Sequence, residues 1–447
     1  MALTGIEIYK KLPRTNCGDC GVPTCMAFAM KLAAGQAELS ACPHVSAETA
    51  AELDSASAPP IRPVTIGTGD EAFKIGGETV LFRHEKTFIN APGIGVLVTD
   101  EMSDDDVDGK IDRLNKLQYE RVGLILKGNI VIAKSVKGDA GAFEALAKKV
   151  AGATSKAIAL IADDPAVLSQ AAKAIADKKP LIGFATESNA DAMAELAKEL
   201  DVPVIAKAKG IDAASELTKK LTDAGLKDIV IDTSPDNIKE ALFDQVAMRR
   251  LSIQKAERTV GFPTILFPSE MTDNPIKEAM YAGTFITKYG GIIALSDIQG
   301  ETLFPVTVAR MNIYTDPQRP MATTQGIYEM NNPEKDSPIL ITSNFSLTYF
   351  IVSGELEASR APAWLLVIDT EGLSVLTAWA AGKFVADAIG PFVKKIGIEE
   401  KIGKKQLIIP GFVASISGEL EEELPDWDIV IGPREAAYIS SFLKQLN

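Results

Sequence analysis

The chain has 447 residues, of which 46% are hydrophobic and 24% charged, and its net charge is −14. This composition predicts a globular chain of roughly two to four domains, and the absence of a basic stripe argues against a nucleic-acid partner. No apolar run approaches the ~20 residues of a membrane helix. The first residues lack the pattern of a secretory signal. We therefore expect a cytoplasmic protein with no membrane association.

The N-terminal segment, residues 1–58, holds every cysteine of the chain, at Cys17, Cys20, Cys25 and Cys42. Clustered cysteines in a chain without a secretory signal indicate metal ligands rather than disulfides. Only two histidines exist, at positions 44 and 84. Histidine-based catalysis and His-rich zinc sites are therefore excluded beyond residue 84.

The cysteine spacing, x2, x4 and then x16, supplies the four thiolates that a [4Fe-4S] cluster requires. Gly18 and Gly21 allow the backbone to wrap closely around such a cluster. Cys25 begins a predicted helix, where the partial positive charge favours an anionic group. Structural zinc and free thiols are the alternatives, but zinc ribbons favour two paired C-x2-C motifs and only one pair is present.

After a Pro-rich linker and a predicted hairpin, residues 59–92, a repeating strand–helix pattern extends over residues 93–312. Continuous apolar runs are typical of buried parallel strands. Eight such units predict a TIM (β/α)8 barrel, with an open doubly wound sheet as the alternative. The predicted strands are 94–99, 122–127, 157–162, 181–186, 202–206, 228–233, 264–268 and 292–296. Lys127 and Lys207 fall at strand ends, and we interpret both as structural.

Residues 313–336 are predicted to form a linker, and a second strand–helix series follows over residues 337–447. Its four strands, 338–343, 364–368, 406–410 and 428–432, are too few to close a barrel. They predict an open Rossmann-like or flavodoxin-like sheet with a ligand at the carboxyl ends of the strands. The whole chain is therefore predicted to be an α/β multidomain protein.

The turns after these four strands carry small or hydroxyl-bearing residues, which let a ligand approach backbone amides. Ordinary helix N-caps are the alternative explanation for any single one. The candidate residues are Thr342, Asn344, Ser346, Thr348, Thr370, Glu371, Gly372, Leu373, Ser374, Gly411, Ser415, Gly432, Pro433 and Arg434.

The stretch from Asn16 to Cys25, NCGDCGVPTC, resembles the cluster domain of corrinoid iron–sulfur proteins. The segment APPIRPV, residues 58–64, and the order of the three domains are similar to their large subunits along the full chain. The resemblance implies that residues from about 320 to 447 hold a cobalt corrinoid. Many corrinoid domains coordinate cobalt through a histidine, which this domain lacks. The resemblance accordingly implies a base-off cofactor without a histidine ligand.

The resemblance further implies a methyl carrier of the anaerobic acetyl-CoA pathway. Its Co(I) corrinoid would accept a methyl group from methyl-tetrahydrofolate through a methyltransferase, and would donate it to acetyl-CoA synthase. The cluster would serve the reductive reactivation of Co(II). The implied partners are a small corrinoid protein subunit in a heterodimer, the methyltransferase, CO dehydrogenase/acetyl-CoA synthase, and a reductive activator or ferredoxin. Two alternatives stay open: an iron–sulfur electron-transfer subunit without corrinoid, and a pterin-dependent TIM-barrel methyltransferase.

Overall fold

The computed structural model describes residues 5–33, 36–37, 39–46, 49, 53 and 59–446. The predicted boundary at residue 58 lies outside these residues. The chain divides into two compact units: residues 1–119 with 126–315, and residues 120–125 with 316–447. Within the described part of the chain, no helix is both long and apolar enough to cross a membrane.

The helices of the first unit are α1 (Gly5–Lys11), α2 (Cys25–Ala33), α3 (Asp104–Lys116), α4 (Ala140–Ala153), α5 (Pro165–Ala174), α6 (Ala190–Leu200), α7 (Gly210–Asp223), α8 (Ile238–Gln254), α9 (Pro275–Thr287) and α10 (Gly300–Ile313). Its strands are β1 (Val64–Ile66), β2 (Phe73–Ile75), β3 (Gly93–Thr99), β4 (Gln118–Arg121), β5 (Leu124–Lys127), β6 (Ile130–Lys134), β7 (Ala157–Ile161), β8 (Leu181–Ala185), β9 (Val204–Lys207), β10 (Ile229–Asp232), β11 (Ile265–Leu266) and β12 (Ile292–Leu295). Strands β4 and β5 span the division between the two units.

Eight parallel strands form the barrel, in the order β10-β9-β8-β7-β6-β3-β12-β11. A parallel bridge between Ile231 and Thr264 joins the two ends of this order, and the Ile231 amide donates to the Pro263 carbonyl at 2.8 Å. Several of the helices between the strands begin at side-chain caps, such as Asp139 before α4 and Asn237 before α8. The (β/α)8 barrel predicted from the apolar runs is confirmed.

The second barrel strand was predicted wrongly. Residues 122–127 do not enter the barrel, because Val122 and Gly123 both have positive φ and form the turn of a hairpin. β6 takes the predicted place, and it pairs with β3 and β7. The reason is burial: Ile132 of β6 is 0% exposed, whereas Ile125 of the hairpin is 52% exposed.

The placement of β6 in the barrel, and of β5 outside it, predicts that the same Ile→Ala substitution has different effects on stability in the two strands. Ile132→Ala should lower the free energy of unfolding by about 2–5 kcal/mol, since it leaves a cavity in the barrel interior. Ile125→Ala removes the same atoms from an exposed site and should change it by less than about 0.5 kcal/mol. Urea denaturation followed by circular dichroism measures both. Equal losses would contradict the placement of β6 in the barrel.

The N-terminal end of the barrel is covered by the β1–β2 hairpin, which pairs antiparallel. Val64, Ile66 and Ile75 are fully buried and belong to the same apolar cluster as the barrel interior. At its turn, Glu71 accepts a hydrogen bond from Lys127 at 2.6 Å. The opposite, C-terminal mouth is the end at which barrel enzymes place their sites.

The second unit holds strands β13 (Gly326–Met330), β14 (Ile339–Ser343), β15 (Ala363–Ile368), β16 (Gln406–Ile409) and β17 (Asp428–Ile431). Its helices are α11 (Ser346–Ser359), α12 (Val375–Ala380), α13 (Ala386–Lys395), α14 (Ser417–Glu423) and α15 (Ile439–Leu446). The strand order is β13-β15-β14-β16-β17. Four strands are parallel, as predicted.

Strand β13 was not predicted. It lies within the predicted linker, residues 313–336, and pairs antiparallel with β15. In the sheet, β15 lies on one side of β14 and β16 lies on the other. The chain therefore reverses its direction of travel across the sheet after β15. The gap between β14 and β16 is therefore the topological switch point of the sheet, where open α/β sheets bind ligands.

Candidate functional site

The four cysteines surround a loop between α1 and α2 whose backbone turns repeatedly through the left-handed region. Asn16, Gly18 and Gly21 have φ of 49°, 82° and 76°. Such alternation makes successive amide groups point into a concavity, which is the geometry of anion and iron–sulfur sites. The sequence reasoning identified the two glycines but not the role of Asn16. Its positive φ lies in the left-handed region, which asparagine adopts more readily than most residues other than glycine.

Asn16 holds the loop to the start of α2. Its Oδ1 accepts a hydrogen bond from the Cys25 amide at 2.8 Å, and its own amide points at the Cys25 sulfur at 3.4 Å. Cys25 is buried, Cys20 and Cys42 are half-buried, and Cys17 is exposed. Thr24 caps α2 as predicted, since its hydroxyl accepts from the Ala27 amide at 3.1 Å. All four thiols are free, and no cysteine is used in a disulfide.

A second set of possible metal ligands overlaps this loop. Ligand atoms of Cys17, Asp19 and His44 lie within 4.8 Å of one another. The His44 Nε2 and an Asp19 carboxylate oxygen are 2.6 Å apart, and this contact, together with Cys17, lowers the pKa of Asp19. The donor set therefore offers two assignments, four thiolates or a mixed triad, which differ in whether Cys20 is a ligand.

The carboxyl edge of the second unit's sheet contains a cavity of about 260 Å³ at the gap between β14 and β16. Six of the fourteen candidate residues line it: Thr342, Thr348, Ser374, Gly432, Pro433 and Arg434. The Thr342 hydroxyl is buried and has no hydrogen-bond partner among the described residues. A buried hydroxyl at a cavity wall is the kind of group that a ligand would satisfy.

Two other candidate polar residues, Asn344 and Thr370, connect the turns to one another. The Asn344 Oδ1 accepts from the amides of Thr370 and Gly372, both at 3.0 Å, and from the Thr370 hydroxyl at 2.9 Å. Its Nδ2 donates to Asp369 at 2.8 Å. The turn after β14 is therefore bound to the turn after β15, and Asn344 and Thr370 are positioning residues. Ser346 lies at the start of α11 with its hydroxyl buried and without a partner in the described chain.

The glycines serve packing between loops. A Cβ at Gly372 would lie 3.0 Å from Pro320, and its φ is +73°. A Cβ at Gly411 would lie 2.5 Å from the Gly432 carbonyl oxygen, and one at Gly432 would lie 2.9 Å from Ile408. Each glycine therefore lets two backbone segments approach.

Glu371 has positive φ and pairs with Lys383, and the Leu373 carbonyl accepts from Thr370. Ser415 lies in the 3-10 turn Gly411–Ile416.

Most of the cavity wall is apolar, and the search for polar turns missed it. Ile351, Leu376 and Phe412 line the cavity while remaining 44–49% exposed. Leu376 lies in the first turn of α12, Phe412 lies in the 3-10 turn that follows β16, and Ile351 lies in the second turn of α11. A group of exposed apolar side chains around one cavity indicates a ligand with a large apolar surface, and this exposure is visible only in the structure.

Arg434 is the single cation on the cavity wall. It is exposed and makes no ion pair or hydrogen bond within the described part of the chain. The cavity therefore combines an apolar interior, an unsatisfied hydroxyl and one available guanidinium.

A cysteine segment, a (β/α)8 barrel and an open-sheet domain with an apolar cavity define a multidomain cofactor-binding protein. Residues 12–44 match a family model described as a putative Fe-S cluster. Residues 63–443 match one described as CO dehydrogenase/acetyl-CoA synthase delta subunit. The chain is 41% identical over 444 residues to the corrinoid/iron-sulfur protein large subunit of Moorella thermoacetica, covering 99% of both chains.

It is also 35% identical to the acetyl-CoA decarbonylase/synthase complex subunit gamma of Methanopyrus kandleri, covering 99% of this chain and 98% of the relative. The chain belongs to the family of corrinoid/iron–sulfur protein large subunits. The resemblance drawn from the cysteine segment and the domain order is confirmed.

Proposed function

We propose that the chain is the large subunit of a two-subunit methyl carrier of the acetyl-CoA pathway, holding one [4Fe-4S] cluster and one cobalt corrinoid. The cavity between β14 and β16 is the observation that carries this proposal. Its position at the switch point, its apolar wall and the unsatisfied Thr342 hydroxyl suit a cofactor that is largely apolar with a few polar groups. The names of the relatives support the same assignment.

The cavity is too small for a whole corrin ring, and we propose that it takes the ring's nucleotide tail. At about 260 Å³ it lies just below the usual range of small-molecule sites, roughly 300–1,000 Å³. In this arrangement the macrocycle rests on the exposed apolar rim of Ile351, Leu376 and Phe412. Arg434 is placed to pair with the phosphodiester of the tail, since guanidinium groups favour phosphate.

When bound, the corrinoid supplies a cobalt that carries a methyl group, and the cluster supplies single electrons at low potential. The residues of the second unit bind the tail, exclude water from it and offer no imidazole, because both histidines precede residue 85. We propose that the cofactor has no histidine ligand from this unit and that it is base-off, as the family resemblance implies. The cysteine segment would hold the cluster that restores the reduced carrier after accidental oxidation.

We propose that the rim also faces the partner proteins. A single open sheet covers one side of a macrocycle, so the other side is left for a small corrinoid protein subunit. Methyl-tetrahydrofolate methyltransferase, CO dehydrogenase/acetyl-CoA synthase and a reductive activator or ferredoxin would act on the assembled carrier in turn.

Joint analysis of iron and cobalt in the anaerobically purified protein tests the proposal. We expect about four irons and one cobalt per chain, with a visible spectrum that combines cluster and corrinoid bands. Iron without cobalt, from cells that make corrinoids and with the small subunit present, would favour the electron-transfer alternative. Zinc in place of iron would overturn the cluster assignment.

A further inference from the structure

Helix α2 carries exposed apolar side chains next to a proposed cluster ligand. Met26 directly follows Cys25 in the chain, and Met30 lies one turn further on the same side of the helix, since residues four apart are neighbours on a helix surface. Met26 is 39% exposed and Met30 is 57% exposed. Because an α-helix rises about 1.5 Å per residue, Met30 lies about 8 Å from Cys25 along the axis. An exposed apolar surface therefore begins at the site of the proposed cluster.

Helix α1 extends this surface. Its first residue, Gly5, is so close to α2 that a Cβ there would lie 2.3 Å from the Met30 sulfur. Ile6 comes next in the chain and is 59% exposed. We call Ile6, Met26 and Met30 the methionine patch. Methionine is flexible and polarizable, and it is frequent at surfaces that bind other proteins.

Packing between the two helices does not account for the methionine patch. The helices already bury their facing sides, through Ile8, Leu12 and Phe28. A single exposed apolar side chain is ordinary in a globular protein, but a group of adjacent ones is typical of an interaction site.

Basic residues flank the methionine patch. Lys10 is exposed on α1 and Lys31 is exposed on α2, and neither has an ion-pair partner among the described residues. Arg14 is fixed near the end of α1, because its Nη2 donates to the Lys10 carbonyl at 2.8 Å and its guanidinium lies 5.3 Å from the centroid of the Tyr9 ring. Three cations thus surround an apolar centre.

This local charge is opposite in sign to that of the whole chain. Residues 5–33 contain four basic and two acidic side chains, whereas the net charge of the chain is −14. One of the two acids, Asp19, is already paired with His44 at 2.6 Å. A positive surface with an apolar centre is complementary to an acidic partner protein.

We propose that the methionine patch is the docking surface for a small acidic one-electron carrier protein that reduces the cluster. The inference rests on the proposed function, because it requires a cluster at the four cysteines. One electron passes from the reduced carrier to the oxidised cluster, and no bond forms or breaks. Electron transfer weakens steeply with distance, so the carrier has to dock beside the cysteines. Redox complexes have small interfaces, which suits three apolar side chains within a ring of single charges.

The nearest rival occupant is the chain's own second unit. Acidic residues outnumber basic ones in it, and it holds the proposed corrinoid cavity. In that case the patch would serve the passage of electrons from the cluster to cobalt, and not their entry into the cluster. The two roles are separated by following the reduction of the cluster and the reduction of cobalt independently.

Stopped-flow reduction of the full-length protein, with its small subunit, tests this docking surface. The probe is reduced flavodoxin, an acidic one-electron carrier whose flavin semiquinone reports each electron that it gives up. Dithionite serves as a small-molecule reductant, and the cobalt bands are followed separately. For the parent, we expect the second-order rate constant for cluster reduction by flavodoxin to fall as salt is added, because opposite charges attract the two proteins.

Lys10→Glu combined with Lys31→Glu should lower this rate constant at least tenfold at low salt, and added salt should then raise it, because the altered surface repels the probe. Met30→Gln should lower it about threefold or more at every salt concentration, because the apolar contact is weakened while the charge is unchanged. Iron content and reduction by dithionite should match the parent in both variants.

Lys239→Glu combined with Lys277→Glu, and separately Met280→Gln, are matched controls on α8 and α9 of the barrel. All three residues are exposed there, and these controls should react as the parent does. A parent rate with flavodoxin in either patch variant, equal slowing with dithionite, or slowing confined to cobalt would overturn the proposal, the last of these in favour of the second unit. A parent protein with no reducible cluster would instead overturn the proposed function, on which this docking surface depends.

Discussion

Cys20→Ala is expected to remove the iron–sulfur cluster and to leave the cobalt in place. Cys20 is half-buried beside the positive-φ turn at Gly21, and it belongs to the four-thiolate set but not to the Cys17, Asp19 and His44 triad. A cubane cluster takes one thiolate per iron, so the loss of one ligand exposes an iron and opens the cluster to oxidation. Iron, sulfide and the low-temperature EPR signal of the reduced protein measure the effect.

His44→Ala is the matched control for this assignment. It removes the imidazole next to Asp19 and leaves all four thiols. Under the cluster assignment His44→Ala keeps its iron and Cys20→Ala loses nearly all of it. A mixed triad metal site gives the reverse pattern, so the two variants together decide between the assignments.

Methyl transfer gives an independent readout of the same variant. Transfer that starts from chemically pre-reduced Cys20→Ala protein should proceed at the parent rate, because the proposed corrinoid cavity lies in a different unit. Reactivation by a protein reductant should fail, since the electron relay is missing. Loss of both activities with cobalt retained would mean that the cysteine segment does more than relay electrons.

The sequence predicted the barrel well because its strands are buried on both faces. Runs such as Ile292–Leu295 are apolar throughout, and a series of such runs separated by helical segments predicts buried parallel strands. The exception was the choice between residues 122–127 and β6. Both segments are apolar, and only the tertiary structure shows that Leu124 and Ile125 are exposed while Ile132 is buried. Composition alone could not separate them.

The structure has a cavity at the sheet edge where the candidate residues were predicted, and six of the fourteen candidates line it. Consecutive strand ends located the edge, since parallel strands share it. The sequence could not show that Asn344 bonds the next turn or that Gly411 contacts the backbone at Gly432, because both depend on how turns distant in sequence meet. The apolar wall went unrecognised because the turns were chosen mainly for small or hydroxyl-bearing residues, and the exposure of Ile351, Leu376 and Phe412 depends on the tertiary structure.

A bulky residue at the cavity wall tests whether the cofactor enters there, and the turn after β15 offers Gly372 and Ser374 as positions for it. Gly372 is a poor choice for a bulky residue, because its φ of +73° and its contact with Pro320 mean that any side chain would distort the turn itself. Ser374 lines the cavity at the N-cap of α12 with an extended backbone, and its hydroxyl is 3.0 Å from that of Thr377. A side chain added there can extend into the cavity without backbone strain.

Ser374→Trp is therefore expected to lower the cobalt content at least tenfold while the iron content stays at the parent level. The indole would occupy the space that the nucleotide tail needs, and a cavity of about 260 Å³ cannot hold both. Ser374→Ala should retain cobalt, because removing a neutral hydroxyl forfeits about 1 kcal/mol at most. Ser441→Trp makes the same change at an exposed position of α15, outside the cavity, and should also retain cobalt.

Thr342→Val and Thr342→Ser test whether the Thr342 hydroxyl binds the cofactor. Neither substitution blocks the cavity, so their effect is distinct from the steric effect of Ser374→Trp. The valine preserves the shape but removes the hydroxyl, so corrinoid binding should weaken about fivefold, equivalent to about 1 kcal/mol, while the serine should bind nearly as the parent does. Cobalt retained in full by Ser374→Trp, with normal affinity in Thr342→Val, would show that the tail does not enter between β14 and β16. The cofactor would then have to rest elsewhere on the second unit or on the small subunit, since the remaining edge of this sheet is closed by the bonds of Asn344 and by the packing around Gly411.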